Sequence, residues 1–311
     1  MTTYDLELEG VTKRFGDFVA VKSISLKVPK GAIYGFLGPN GSGKTTTMRM
    51  IMSIFYPDEG RISVLGHPNA EAVKDRLGYL PEEKGLYKKM KVEDIIAYFG
   101  SLKGMPSREA KEKSKALLHK YGLGEWIGQK TEAMSKGMGQ KIQLLGTIVH
   151  DPDLVILDEP FSGLDPINME LMRETILDIK RSGKTVLFST HVMAQAEDIC
   201  DSILLMYKGD KVLDGSMREV RAGGPRAIVV EYEGEEAAVR GFVGIERIND
   251  AGKRAEVYLE EGVDSQDYLK HLIDEGVRIV RFDLREPSLH EVFVRTVGAQ
   301  AEAELTQELR R

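Results

Sequence analysis

The pattern of apolar and polar positions predicts an α/β beginning to the chain. Tyr4–Leu8 and Ser23–Val28 alternate apolar and polar residues with the period of half-buried strands. Ala32–Leu37 is almost wholly apolar and leads into Gly38, and Thr45–Phe55 has the composition of a helix. A strand, a glycine-rich turn and a helix in this order are typical of the first unit of a nucleotide-binding α/β domain.

The middle of the chain has a different pattern. From about residue 92 to residue 149, Lys, Glu, Ala and Leu dominate and apolar residues recur at helical spacing, which predicts a helical insertion. Short apolar runs return at Leu154–Leu157 and Thr185–Ser189 and predict buried parallel strands. Both runs end in polar residues. Because ligands gather at the carboxyl ends of parallel strands, we expect these polar side chains to share one site.

The last third of the chain predicts a second, smaller domain. The turn-rich sequence RAGGP at 221–225 is typical of a linker. The strands and helices predicted beyond it are Ala227–Tyr232, Arg254–Leu259, Arg278–Leu284, Ser265–Asp274 and Ser288–Val297. We therefore expect a first domain at 1–222, with a helical part at about 88–150, and an α+β domain at 223–300. The charged tail at 301–311 is expected to fray.

Composition narrows the class of protein. Hydrophobic residues make up 42% of the chain and charged residues 30%, as in an ordinary globular protein. The formal net charge of -6 argues against a nucleic-acid binder. Cys200 is the single cysteine, which indicates a reducing compartment, and we expect it to be a buried apolar residue. With no leader sequence and no run of about 18 apolar residues, the chain is expected to reach a membrane only through a partner.

One motif carries specific chemistry. Residues 38–45 read GPNGSGKT and fit the pattern G-x-x-x-x-G-K-[ST]. Its glycines let backbone N–H groups point at phosphate oxygens, Lys44 reaches the β- and γ-phosphates, and the Thr45 hydroxyl binds Mg²⁺. The alternative, a flexible glycine turn, is disfavoured by the strand before the motif and the helix after it. The residues assigned to nucleotide binding here are Gly38, Pro39, Asn40, Gly41, Ser42, Gly43, Lys44, Thr45 and Thr46.

Two further polar positions fit the same chemistry. The strand Leu154–Leu157 delivers Asp158, expected to hold Mg²⁺, and Glu159, expected to polarise the attacking water as general base. Adjacent acids at a strand end are more often merely solvated, but the phosphate loop favours the catalytic interpretation. His191 follows the next strand and can donate a hydrogen bond to the γ-phosphate. Alone, it would more often be a structural histidine.

In this order, the motifs resemble the ATP-binding subunit of an ABC (ATP-binding cassette) transporter over roughly residues 4–220. The matching segments are Phe15 in KRFGD, GPNGSGKTT at 38–46, YLPEE at 79–83, MSKGM at 134–138, LVILDEP at 154–160, SGLD at 162–165 and His191. The resemblance implies a P-loop NTPase (RecA-like) core with an antiparallel β subdomain and a helical insertion. It also implies ATP and Mg²⁺ as cofactors, Phe15 stacked on adenine, and catalysis by Lys44, Glu159 and His191.

The resemblance also implies partners. Ser135 and Gly137 would contact the γ-phosphate held by a second nucleotide-binding subunit, which suggests a homodimer. The dimer would work with an integral membrane permease, on the cytoplasmic face of the cell membrane.

Two positions depart from the family pattern. The usual LSGGQ is MSKGM here, so Lys136 adds a cation that either contacts phosphate or points to solvent. Glu82 stands where glutamine is usual. Its carboxylate keeps an acceptor for Mg²⁺ or water, so we retain it with Thr45 and Asp158 as a metal ligand, but it has no donor.

The C-terminal sequence narrows the resemblance. LREPSLHEVFVRTVG at 284–298 is similar to the end of ATPases that pair with ABC-2 type permeases, often exporters, and YLPEEKGLY at 79–87 fits the sodium- and drug-efflux branch. This implies a subunit that powers export through a separate permease. One alternative is a soluble ABC ATPase that is not coupled to transport. The other is a non-hydrolysing subunit, and the presence of Lys44, Glu159 and His191 disfavours it. Whether the C-terminal domain regulates the ATPase or only packs against other parts of the protein is left open by the sequence.

Overall fold

The computed structural model describes residues 3–83, 85–222, 227–260 and 262–298. They divide into two compact units, Met1–Met217 and Arg218–Arg311, so the division falls a few residues before the expected domain boundary. Of the expected linker, residues 221 and 222 are helical and 223–225 lie outside the described residues, as does the tail expected to fray at 301–311.

The described residues form strands and helices in mixed order, with three strands at the start and three α-helices in succession at 92–148. In chain order, the strands within the described residues are β1 (Tyr4–Phe15), β2 (Phe18–Pro29), β3 (Ile33–Leu37), β4 (Glu59–Val64), β5 (Leu77–Leu80), β6 (Leu154–Leu157), β7 (Thr185–Thr190), β8 (Ser202–Tyr207), β9 (Asp210–Ser216), β10 (Ala227–Glu233), β11 (Ile245–Asp250), β12 (Arg254–Leu259) and β13 (Arg278–Arg285). The α-helices of the same residues are α1 (Lys44–Ile51), α2 (Val92–Leu102), α3 (Ser107–Lys120), α4 (Lys136–Ile148), α5 (Pro166–Arg181), α6 (Met193–Glu197), α7 (Met217–Ala222), α8 (Glu236–Arg240), α9 (Ser265–Asp274) and α10 (Leu289–Val297).

The first unit is built around a mainly parallel sheet with the strand order β5-β6-β7-β3-β8-β9. Only the β8–β9 pair of these strands is antiparallel. Strands β3, β6 and β7 are buried along their whole length, which accounts for their continuous apolar sequences. Because β3 and β6 both flank β7 in parallel, the residues that follow all three strands emerge at one edge of the sheet.

An antiparallel sheet of β2, β1 and β4 packs against this core. Its alternating inward residues include Leu6, Leu8 and Ile24, which share a hydrophobic cluster with Met48 and Ile51 of α1. The sheet therefore helps to fix the helix that follows the glycine-rich loop.

Helices α2, α3 and α4 form the predicted helical insertion and have their own hydrophobic core. Its central residues include Ile95, Ile96, Leu118, Ile142 and Leu145, which are completely buried. This core lets the insertion act as a distinct packed layer that carries the start of α4.

The second unit is the predicted α+β domain. Its antiparallel sheet has the order β11-β12-β10-β13, and Tyr268 and Leu272 of α9 pack on it. Helix α10 begins with a capping box between Ser288 and Glu291. Burial opposes the ionised form of Glu291, but hydrogen bonds from Ser288, Tyr258 and Arg285 outweigh it and lower its pKa to about 2. The fold class predicted for the whole chain is confirmed: an α/β core with an antiparallel β subdomain and a helical insertion, followed by a small α+β domain.

A glycine in β3 accommodates the single cysteine. Gly35 has no side chain, and a methyl group there would lie 2.7 Å from Sγ of Cys200. Cys200 is buried, as expected, and burial raises the pKa of its thiol well above the ordinary value. The thiol therefore packs as a small apolar group directly behind the strand that leads to Gly38.

None of the helices in the described residues combines the length and the apolar character that crossing a membrane requires.

Candidate active site

The loop between β3 and α1 is shaped by its glycines. Gly38, Gly41 and Gly43 have φ values of +143°, +75° and +104°, a region that side chains rarely adopt. A methyl group at Gly38 would overlap the carbonyl oxygen of Met206, and one at Gly43 would lie 2.6 Å from the carbonyl oxygen of Ala20. The loop therefore has the tight backbone curvature that a phosphate cradle needs.

Lys44 lies folded onto this loop. Its ammonium donates to the carbonyl oxygens of Gly38 and Pro39, at 2.7 and 3.1 Å, and Nζ is 3.9 Å from Oε1 of Glu159. The residue is only 5% exposed, so these partners stabilise a charge that would otherwise be costly to bury. Phosphate oxygens at the loop would be better partners, because they bring negative charge to a buried cation.

Asp158 lies at the end of β6 and is 1% exposed. Its Oδ1 accepts hydrogen bonds from Ser189 at 2.6 Å and from Thr45 at 3.2 Å. Burial raises the pKa of Asp158, and these two bonds oppose that shift. Within the part of the chain that the structure describes, Oδ2 is buried without a hydrogen-bond partner. An orphaned carboxylate oxygen beside a threonine hydroxyl is a donor set that suits Mg²⁺.

Glu159 and His191 are in direct contact. Nδ1 of His191 lies 3.1 and 3.2 Å from the two carboxylate oxygens of Glu159. The Glu159 backbone has a φ of +49°, which is strained for a glutamate, and its N–H donates to Oγ of Ser189 at 2.9 Å. The general base expected at the end of β6 is thus held against the histidine expected at the end of β7.

The structure brings one group of the predicted residues together. Lys44, Thr45, Asp158, Glu159 and His191 are joined by the contacts above. Ser189 was not predicted as a site residue. It is the last residue of the predicted strand Thr185–Ser189, two residues before His191, and that position was a usable signal. Ser42 was predicted, and its buried Oγ has no hydrogen-bond partner among the described residues, which suits a phosphate ligand.

Glu82 lies two residues beyond the end of β5, which pairs with β6 in the central sheet, and no contact in the described residues joins it to this group. The residue is exposed on the segment that follows β5, next to the strand that ends at Asp158. The N–H of Asp158 donates to the carbonyl oxygen of Leu80 at 2.8 Å. No hydrogen bond between Glu82 and Thr45 or Asp158 occurs in the described residues, so its role as a metal ligand stays a prediction.

Ser135 and Gly137 lie at the start of α4. Ser135 is exposed and caps the helix, with Oγ accepting from the N–H of Met138 at 3.3 Å. Gly137 is buried, and a methyl group there would lie 2.6 Å from Cγ of Asn168. Asn168 in turn donates to Oδ2 of Asp165 at 2.6 Å. The exposed helix start suits an anion approaching from outside the chain.

Phe15 ends β1 and is 46% exposed. Its ring meets Phe55 edge-on at 5.6 Å between centroids, and Nζ of Lys13 lies 5.6 Å from its centroid. An aromatic ring that is nearly half exposed offers a surface for stacking a planar base.

Replacing Phe15 by alanine is expected to weaken ATP binding several-fold, because a ring stack contributes about 1 kcal/mol beyond the area it buries. Phe15→Tyr and Phe15→Trp should have mild effects. Phe18, 64% exposed and paired with Phe15 across the turn, is the matched control, and Phe18→Ala should leave affinity unchanged. Calorimetric titration with ATP measures this. Equal affinities for Phe15 and its three replacements would refute the stack.

The phosphate loop, the paired acids and the histidine define a P-loop NTPase that hydrolyses ATP, and comparison with known proteins agrees. A family model described as ABC transporter matches residues 21–162. A second, described as ATP-binding protein DrrA1-3-like, C-terminal domain, matches residues 215–297. The chain belongs to the ABC transporter ATP-binding protein family and is an ATP-binding, ATP-hydrolysing transporter subunit.

Individual relatives give the same result. The chain is 39% identical to an uncharacterised ABC transporter ATP-binding protein, YhaQ, of Bacillus subtilis (strain 168), over 94% of this chain and 99% of that protein. It is 30% identical to the Nod factor export ATP-binding protein I of Rhizobium sp. (strain N33), over 97% and 100%. A solved ATP-binding subunit of an ABC transporter matches with a TM-score of 0.64 at 28% identity, over 71% and 92%. These relatives favour the transporter interpretation over a soluble ATPase.

Proposed function

We propose that ATP hydrolysis by this chain powers export through a separate integral membrane permease. The observation that carries hydrolysis is the contact between Glu159 and His191 beside Lys44 and the phosphate loop. Export is supported by the similarity to the Nod factor export protein along nearly the whole chain. We place the chain at the cytoplasmic face of the membrane, where ATP is available, bound to the permease and not to nucleic acid.

Mg²⁺ is proposed as the second cofactor. The Thr45 hydroxyl and the unpartnered Oδ2 of Asp158 are the groups that would hold it. Glu82 is proposed as a further ligand, directly or through water. When bound, Mg²⁺ would neutralise charge on the phosphates of the nucleotide.

The side chains around the γ-phosphate have separate proposed roles. Glu159 polarises the attacking water and accepts its proton. His191, 3.1 Å from Glu159, orients that carboxylate and donates to the γ-phosphate. Lys44 exchanges its carbonyl partners in the loop for phosphate oxygens, and the N–H groups of the loop complete the cradle.

Two copies of the chain are proposed to close on ATP. A phosphate loop contacts the nucleotide from one side only, which leaves the γ-phosphate open on the other. Ser135 and Gly137 stand at the positive end of α4, and Ser135 is exposed there, so a second copy can present them to that phosphate. Each ATP then joins two chains.

Coupling to the permease can be tested at Glu82. The chain is purified in detergent together with the multi-span membrane protein encoded beside its gene, and phosphate release is measured with and without that partner. We expect the permease to stimulate hydrolysis. Glu82→Gln should keep the basal rate, because the amide oxygen remains an acceptor for Mg²⁺ or its water. It should alter the stimulated rate, because the amide restores a donor that the carboxylate lacks.

Glu83 offers the matched control for this experiment. It is exposed on the same segment, and Glu83→Gln should leave both rates unchanged. If basal and stimulated rates change together in Glu82→Gln, Glu82 acts in catalysis and not as a relay. A chain that neither copurifies with the permease nor responds to it would refute coupled export.

A further inference from the structure

The side chain of Lys136 lies over the loop that follows the general base. Residues 160–165 connect Glu159 to α5, and Gly163 in this loop has a φ of +70°. A methyl group at Gly163 would lie 2.7 Å from Nζ of Lys136 and 3.3 Å from its Cε. The ammonium and the last methylene of Lys136 therefore cross the bare Cα of Gly163. Lys136 is exposed, one of the two arrangements considered from sequence, and within that exposed position its tip lies along a loop of its own chain.

The same loop is held by α4 on either side of Gly163. Nε2 of Gln140, a residue only 1% exposed, donates to the carbonyl oxygen of Pro160. Gly137 packs closely against Asn168 in the first turn of α5. Lys136 thus covers the middle of a segment whose beginning and end are already packed on its own helix.

The loop is also tied directly to Glu159. The N–H of Ser162 donates to the carbonyl oxygen of Glu159 at 3.1 Å, so the loop starts as a turn on the catalytic residue. Glu159 itself has a strained backbone, and such a conformation persists only where its surroundings fix it. A shift of the loop would therefore change the direction of the Glu159 carboxylate relative to His191.

We propose that Lys136 is a positioning residue, which holds residues 160–165 against α4 and so keeps Glu159 in its catalytic conformation. The proposal rests on the proposed role of Glu159 as general base. It gives the lysine that replaces the usual glycine a function within its own chain. A side chain at position 163 would displace the tip of the lysine from this place on the loop.

A double-mutant cycle tests the proposal. Gly163→Ala should lower kcat about tenfold without changing ATP affinity, because its methyl group displaces Lys136 and moves the loop. Lys136→Ser alone should also lower kcat about tenfold, because the loop then loses the side chain that covers it. In that background the methyl group has room. There, Gly163→Ala should lower kcat by no more than about threefold, the effect of the left-handed backbone alone. This relief of the Gly163→Ala defect by shortening Lys136 is a result that a merely structural glycine would not give.

Gly183 provides the control for backbone strain. Its φ of +82° is similar to that of Gly163, but no described atom lies within 4 Å of a methyl group placed there. Gly183→Ala should leave kcat and ATP affinity unchanged. Thermal unfolding of every variant checks that each is folded at the assay temperature.

The outcomes separate this proposal from the proposed function. An equal loss of kcat from Gly163→Ala in both backgrounds would overturn the positioning role, as would a wild-type kcat in Lys136→Ser. So would a Lys136→Ser chain that loses ATP affinity or ATP-dependent dimers whatever residue stands at 163, since that result indicates a phosphate contact. A wild-type chain without hydrolysis removes both proposals, whereas an active wild type with no coupling in the cycle removes this one alone.

Discussion

Replacing Glu159 by glutamine is expected to leave ATP bound and to slow its hydrolysis by about 10²–10⁴-fold. The amide cannot accept a proton from the attacking water, whereas its size and its strained backbone match those of the glutamate. The contact with His191 can persist, because the amide oxygen still accepts a hydrogen bond. Phosphate release under single-turnover conditions gives the rate, and calorimetry gives the affinity for ATP.

The arrested variant also reports on the dimer. At saturating ATP, Glu159→Gln should elute as a dimer in size-exclusion chromatography, and the dimer should disappear when ATP is replaced by ADP. Adding Ser135→Arg should abolish the dimer through bulk and charge, because Ser135 is exposed at the start of α4. ATP should still bind to the phosphate loop of the double variant.

Ser107 supplies the control for an added arginine. It is exposed at the start of α3, a comparable position in the same helical insertion, and Ser107→Arg should leave the dimer intact. A Glu159→Gln chain that remains monomeric at saturating ATP, both alone and with its permease, would contradict the closed dimer.

Lys44→Ala is expected to reduce ATP affinity about 100-fold or more. In the wild type, a buried ammonium stands ready beside the loop and exchanges two carbonyl oxygens for charged phosphate oxygens. Alanine removes the charge and leaves only backbone donors at the site. Titration calorimetry with ATP and Mg²⁺ measures the change.

Lys141 separates this effect from the general cost of removing a buried lysine. Lys141 is also buried and donates to a carbonyl oxygen, that of Tyr121, at 2.5 Å. Lys141→Ala is therefore expected to destabilise the fold while ATP affinity stays near the wild-type value. An unchanged affinity in Lys44→Ala would show that this lysine does not bind the nucleotide.

Several elements could be predicted closely from sequence because their apolar spacing and local end signals define them. Strand β6 at Leu154–Leu157, β12 at Arg254–Leu259 and helix α9 at Ser265–Asp274 have the predicted bounds. Strands β1 and β2 are longer than predicted. Register shifts interrupt their pairing, for example between Leu8 and Val11, so the alternation of apolar and polar residues breaks there although the strands continue.

Other features depend on tertiary contacts that no local pattern expresses. Strands β8 and β9 complete the central sheet, and β9 is only partly buried, so its sequence gives a weak signal. Helix α5 was not predicted, although Asp165 and Pro166 form a recognisable helix start. At the site, the motifs predicted residues that the structure joins by contacts, namely Lys44, Thr45, Asp158, Glu159 and His191. The contact of Ser189 with Glu159 and the place of Lys136 over Gly163 follow only from packing.

The cysteine behind β3 makes the strand that carries the phosphate loop observable by chemical labelling. A thiol that is buried and kept protonated reacts slowly with alkylating reagents, and this chain has no second cysteine to contribute background. Modification of Cys200 therefore follows the rate at which the sheet opens around Gly35. Nucleotide bound at the loop favours the closed sheet, so protection of one sulfur atom becomes a measure of ligand occupancy in every variant described above.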